Sequence, residues 1–252
     1  MAHAHPGHRR ASRWPALAGL VGELLLTGGL VVLLFVVYEL FVTDLLNEGK
    51  QSDLSQQLHA QWDESTSMPG TTPRADLTGG AFAVLYIPRL GLDYQRVVLD
   101  GTSEKQLSQG PGHYEGTALP GEPGNVGLAG HRVGKGSPFL DLDQLRPGDP
   151  IVVETVDSWF VYRVLGDVAT GDLTADPSGI PGQQIVRPTD VQVLSPTPNG
   201  PENAAPTGSY LTLTTCHPRF SARQRLVIHA RLDGAAMAKT AEPDGPPALS
   251  ER

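Results

Sequence analysis

The chain has 252 residues, 39% hydrophobic and 18% charged, which is enough apolar material for one large or two small packed domains and too much for a disordered chain. Its 27 acidic residues outnumber 19 basic ones, for a net charge of −8, and this excludes recognition of a nucleic-acid backbone as its main task. The one cysteine, Cys216, excludes an internal disulfide and a cysteine-built zinc site.

The first element is an apolar run. Residues 17–42 read LAGLVGELLLTGGLVVLLFVVYELFV, with no charge between Leu24 and Tyr38. That is long enough to cross a hydrocarbon core, which takes ~20 helical residues. Glu23 and Glu39 stand near its two ends, where a charge costs least. Arg9, Arg10 and Arg13 precede it, and a mostly acidic stretch follows. The positive-inside rule therefore predicts a cytoplasmic tail (1–16), one transmembrane helix (17–42) and an outward-facing remainder at the cell membrane. A cleaved signal peptide is the rival reading, but the run exceeds the usual apolar region of such a peptide and no small-residue cleavage site follows. His3, His5 and His8 are too few and too irregular to form a metal site.

Residues 43–80 read as a stalk and linker. Leu54, Leu58 and Trp62 fall at helical spacing, and 65–80 (STSMPGTTPRADLTGG) has linker composition. From residue 81 the pattern changes to short apolar runs at 81–87, 97–99, 126–129, 151–155, 159–165, 210–215 and 226–232, separated by Pro, Gly and Asp signals. Such a series predicts a mainly β domain over 81–232, closed or sandwiched, with short helices only, for instance at 103–109. Residues 168–208 form a long polar stretch expected to be a functional loop, and 233–252 reads as a disordered tail.

The chemistry gathers at a few positions. In YLTLTTCHP (210–218), strand alternation sets Leu211, Leu213 and Thr215 on one face and Thr212, Thr214 and Cys216 on the other. Cys216 thus stands at a strand end, on the polar face, before a His-Pro break; a buried structural cysteine would share the leucine face. The next strand alternates Arg225, Val227 and His229 against Leu226, Ile228 and Ala230, and pairing of the two as a hairpin brings Arg225 near Cys216. Upstream, NVGLAGHR (125–132) delivers His131 to a glycine-flanked strand end. A thiol, an imidazole and a guanidinium are what acyl transfer by cysteine requires: a nucleophile, a proton carrier and an oxyanion donor. Arg223 shares the face of Arg225 and takes the role if the register differs; spacing to the LVIHA strand favours Arg225. His217 should point to the opposite face, as a wall residue. His113 and Tyr114 either border a groove or make a plain turn, and His229 is expected at solvent or against a partner strand.

TLTTC with an arginine nine residues on, GHR and GSPF upstream and an N-terminal anchor resemble the sortase family, most closely the class E sortases of actinobacteria. The likeness covers about 81–232. It implies an eight-stranded β-barrel fold. It implies His131 as general acid/base, Cys216 as nucleophile and Arg225 as oxyanion donor. It also implies cleavage of a C-terminal LAxTG or LPxTG-like sorting signal between Thr and Gly, a thioacyl intermediate, and transfer of the surface protein to a cell-wall precursor amine of the lipid II type. The region 168–208 would help form the signal groove. No cofactor is expected, and no metal, since Asp141 and Asp143 lack a calcium-loop pattern.

Two other classes compete. A non-catalytic membrane-anchored binding domain would tolerate loss of Cys216. An L,D-transpeptidase type would carry its histidine and cysteine in one compact motif, whereas His131 and Cys216 are far apart; a papain-like order would put the cysteine first.

Overall fold

A computed structural model describes residues 14–38, 43–66 and 80–251. The chain divides into two units, 1–42 and 43–252. The first holds helix α1 (Trp14–Val37), whose leucines and valines from Leu24 to Val37 are exposed on every side. Among the described residues no helix is long and apolar enough to cross a membrane. The end of the expected span, with Glu39, lies outside the described residues, as do the three arginines before it and most of the 65–80 linker.

The second unit begins with α2 (Thr43–Thr66) and continues into ten strands. These are β1 (Ala81–Tyr86), β2 (Gln95–Asp100), β3 (Gly112–His113), β4 (Gly124–Ala129), β5 (Pro150–Glu154), β6 (Ser158–Val164), β7 (Gln183–Val186), β8 (Ser209–His217), β9 (Gln224–Leu232) and β10 (Met237–Ala238). Their order is β10-β6-β5-β1-β2-β3-β4-β8-β9-β7, and a further β6–β9 pairing closes the eight strands from β6 to β9 into a barrel. Only β2–β3 and β4–β8 pair in parallel. The seven expected apolar runs all became strands, because their alternating side chains fill the barrel: Leu85, Val98, Val126, Leu128, Val153, Tyr162, Leu211, Leu213, Leu226 and Ile228 share one core. The expected short helix is α3 (Glu104–Leu107).

Three segments expected to stand apart cover the barrel's outside instead. Helix α2 is packed, not a free stalk: Leu58 and Trp62 cover Val84 and Val97 on the outer face of β1 and β2. Its Gln51 accepts from the Val97 N–H (2.6 Å) and donates to Gln109 O, so it closes part of an open strand edge. The presumed disordered tail is ordered across 233–251. There β10 pairs with β6, Trp159 Nε1 donates to Glu242 O (3.0 Å), and Ala248 is buried against Val152, Trp159 and Val161. A few small apolar residues suffice to cover a flat strand face, which is why composition alone read as disorder. The 168–208 stretch holds β7 and a 3-10 turn at Val191–Leu194, and the following residues lie over β4 and β8.

Candidate active site

The β4–β8 register sets Ala129 opposite Thr214, so two residues further on His131 comes level with Cys216. Two hydrogen bonds tie the strand end there: Gly130 N–H to Thr214 O (3.1 Å) and Thr215 Oγ1 to Gly130 O (2.8 Å). On the other side β9 pairs Cys216 with Arg225 directly, and directly opposed residues share a face. His131, Cys216 and Arg225 thus form one row across β4, β8 and β9, on the barrel's outer face. Arg225, and not Arg223, is the arginine paired with Cys216; Arg223 lies in the hairpin before β9 begins. The Arg225 guanidinium rests on that hairpin, with Nη1 donating to Ala222 O and Gln224 O, both at 3.1 Å.

Cys216 is partly exposed and its thiol is free. The His131 ring is mostly covered, and its Nε2 has no hydrogen-bond partner among the described residues. Glu104 Oε2, on α3, stands 4.0 Å from that nitrogen, and Lys135 Nζ stands 3.3 Å from Glu104 Oε1. Burial holds the His131 pKa below its ordinary value; Glu104 opposes this and Lys135 adds to it. The neutral imidazole, which can accept a thiol proton, is therefore favoured.

Behind the row sits Arg132, 3% exposed. It donates to His217 Nδ1 (2.9 Å) and Leu140 O (3.3 Å), and its Nη2 pairs with Asp143 (2.9 Å). Arg219 pairs with Asp141 (2.7 Å). Both acids after Leu140 are thus engaged by arginines, and the loop after His131 is fastened to the end of β8. His217 points away from the row, as its place in the strand requires.

A cavity of about 1030 Å³ is lined by 114–118, 122–125 and the 191–206 wall; His131, Cys216 and Arg225 are not among its lining residues. Tyr114 borders it and bonds Thr214 Oγ1 through its hydroxyl (2.9 Å). Gly127 leaves room for two of the lining residues: a Cβ there would lie 2.8 Å from Leu194 Cδ2 and 3.1 Å from Tyr114 Cδ2. His113 is a buried residue of β3, bonded to Asp100, Ala118 O and Thr117; it makes no plain turn and does not line the cavity. Of the two places expected for His229, the structure gives the partner strand: its ring bonds Thr212 on β8 and Gln184 on β7, and it is fully buried, not open to solvent. Asn125 and Glu104 escaped the sequence reading, since nothing local marks a lone amide under a distant loop or an acid brought in by another connection.

A family model described as a sortase domain matches residues 85–233. Sortase SrtE1 of Streptomyces coelicolor is 36% identical over 219 residues, which are 84% of this chain and 56% of that protein, so the chain spans little more than half that relative's length. The SrtF sortase from Corynebacterium diphtheriae superposes with a TM-score of 0.64 at 40% identity, covering 72% of this chain and 99% of that one. The crystal structure of Sortase E1 from Streptomyces coelicolor with tripeptide in the active site gives a TM-score of 0.53 at 34% identity, over 67% of this chain and 96% of that one.

Proposed function

Because the chain belongs to the sortase family of cysteine transpeptidases, we propose that it joins surface proteins bearing a C-terminal LAxTG or LPxTG-like signal to a cell-wall precursor amine. The observation that supports this reading is Cys216 paired with Arg225 and level with His131, on a barrel face where Tyr114, which lines the cavity, bonds Thr214 two residues before Cys216. A relative whose structure holds a tripeptide in its active site supports a peptide substrate.

In this reading Cys216 Sγ attacks the carbonyl carbon of the Thr–Gly bond after His131 accepts the thiol proton. The oxyanion that forms is stabilised by the Arg225 guanidinium. The C–N bond then breaks, His131 delivers the proton to the glycine nitrogen, and the threonyl group stays on Sγ as a thioester. An incoming amine attacks the thioester, His131 takes a proton from its nitrogen, and the new amide leaves while Sγ regains its proton. Water in place of the amine gives hydrolysis.

Helix α1 serves as the membrane anchor in this scheme. Its exposed leucines and valines lie on all sides, and a helix apolar all round has no soluble face to present. The catalytic unit would then act outside the cell, beside the lipid-linked amine.

The test uses residues 43–252 with and without Cys216→Ala, incubated with a fluorogenic LAxTG peptide and an amine acceptor. Thr–Gly cleavage with amine-dependent ligation, lost in the variant, is the expected result. Absence of both with either signal peptide, while the domain is folded and the thiol free, would return the chain to a binding role.

A further inference from the structure

Under the cavity runs a chain of neutral polar side chains that the reaction above does not use. Thr212 and His229 are fully buried and Asn125 is 2% exposed. Their hydrogen bonds fit together in one direction only. Asn125 Nδ2 donates to Val193 O and Ser195 O, both at 3.1 Å, which turns its Oδ1 toward Thr212. The Thr212 hydroxyl donates to that oxygen at 2.7 Å, with Val193 O a longer second acceptor at 3.5 Å. A hydroxyl has one proton, so Thr212 Oγ1 must accept from His229 Nδ1 at 2.8 Å. His229 Nε2 then carries no proton and accepts from Gln184 Nε2 at 2.8 Å. The same Gln184 amide nitrogen donates to Asn199 Oδ1 at 3.0 Å.

Both ends of this chain finish on the cavity wall: Asn125 on the backbone of Val193 and Ser195, Gln184 on the side chain of Asn199. Its middle passes through β4, β8, β9 and β7. Outside regular strands, the wall is held by a handful of apolar residues: Val193 and Pro198 are buried and Leu194 is half-buried, whereas Val191 is 64% exposed.

We propose that Asn125, Thr212, His229 and Gln184 are positioning residues that clamp the 191–199 wall at a fixed height over β4 and β8, so that the groove's affinity for an extended peptide depends on them more than the reactivity of Cys216 does. This rests on the reading of the cavity as the signal groove. Neutral His229 is the keystone, because a proton on Nε2 would face the Gln184 N–H group donor to donor.

The first arm needs no substrate. In nitrogen-15 spectra of the 43–252 protein, His229 is expected as the Nδ1–H tautomer with a slowly exchanging ring proton; the Nε2–H tautomer would overturn the proposal. The second compares Thr212→Val, which keeps the shape and loses the hydroxyl, with Thr212→Ser, which keeps it. Valine is expected to speed amide exchange across 191–199 and to raise the peptide KM about tenfold with a much smaller change in kcat, since leaving buried partners unbonded costs roughly a factor of ten or more. Serine is expected to restore both. Unchanged exchange in 191–199, or a loss confined to kcat, would overturn it. Should Thr212→Val not fold, Gln184→Met cuts the chain at its other end with the same two readouts. If the unaltered protein turns over no peptide, the proposed function fails while tautomer and exchange still decide the clamp.

Discussion

His131 and His229 have lowered affinity for protons for the same reason, burial, yet they serve opposite ends. His131 has charged neighbours on two sides, Glu104 raising its pKa and Lys135 lowering it. Glu104→Gln should therefore move its titration further down and Lys135→Met should move it up, read by NMR of the imidazole; Glu104 is exposed, so both effects are modest and shrink in salt. Shifts of reversed sign would mean that neither residue faces the ring as described. His229 has only neutral partners, and burial pushes its pKa down to about 3. Because the folded value lies below the unfolded ~6.5, the unfolded chain binds the extra proton. Stability from this site is therefore complete above pH ~6.5 and falls by about 1.4 kcal/mol per pH unit below it, until the pH nears 3. Urea unfolding between pH 7 and 5 measures the slope, and a flat profile would contradict a neutral buried His229. That Cys216 and Arg225 would share a face of one hairpin was legible in the sequence because strand alternation is local. For His229 the sequence left solvent and a partner strand both open, because the strand that covers it comes from a segment some forty residues upstream and no local pattern records that.

At the scale of elements, one buried carboxylate joins three parts of the chain. Glu154 on β5 is 3% exposed; it accepts from Tyr86 Oη on β1 (2.7 Å) and Lys239 Nζ after β10 (2.6 Å), and His59 Nε2 on α2 lies 3.2 Å away. Lys239 also sits over the Trp62 ring, 4.5 Å from its centroid. Burial and the Glu154 charge together hold the Tyr86 hydroxyl protonated, so it stays a donor across the working range. Removing the carboxylate leaves Lys239 without its ion partner: Glu154→Ala should cost about 3–5 kcal/mol in urea unfolding. A cost below about 1 kcal/mol would mean that Lys239 simply turns to solvent. The Leu54–Leu58–Trp62 spacing announced a helix with an apolar stripe, but a stripe does not say what it will meet. The C-terminal segment has no period at all, so its single strand pair and its buried Ala248 had no signal to find.

For the whole molecule, the closed barrel was legible from many short alternating strands, while the layer around it was not. That layer assigns α2 to the catalytic unit, which runs 43–252. A protein beginning at Gly80 exposes Val84, Val97 and the β2 edge that Leu58, Trp62 and Gln51 cover. It should melt well below one beginning at Thr43, as losing a large buried aromatic alone costs about 3–5 kcal/mol; equal melting temperatures would mean that α2 only rests on the barrel. On the function proposed above, the strand-end row works as one acyl-transfer site. The most direct measurement is the intact mass of the 43–252 protein mixed with an LAxTG peptide and no added amine, followed by mapping of any adduct. A threonyl-peptide thioester on Cys216 is expected, discharged by an added amine and lower in yield after His131→Ala or Arg225→Ala. A folded protein whose Cys216 alkylates readily yet never carries the acyl group from either signal peptide would contradict it.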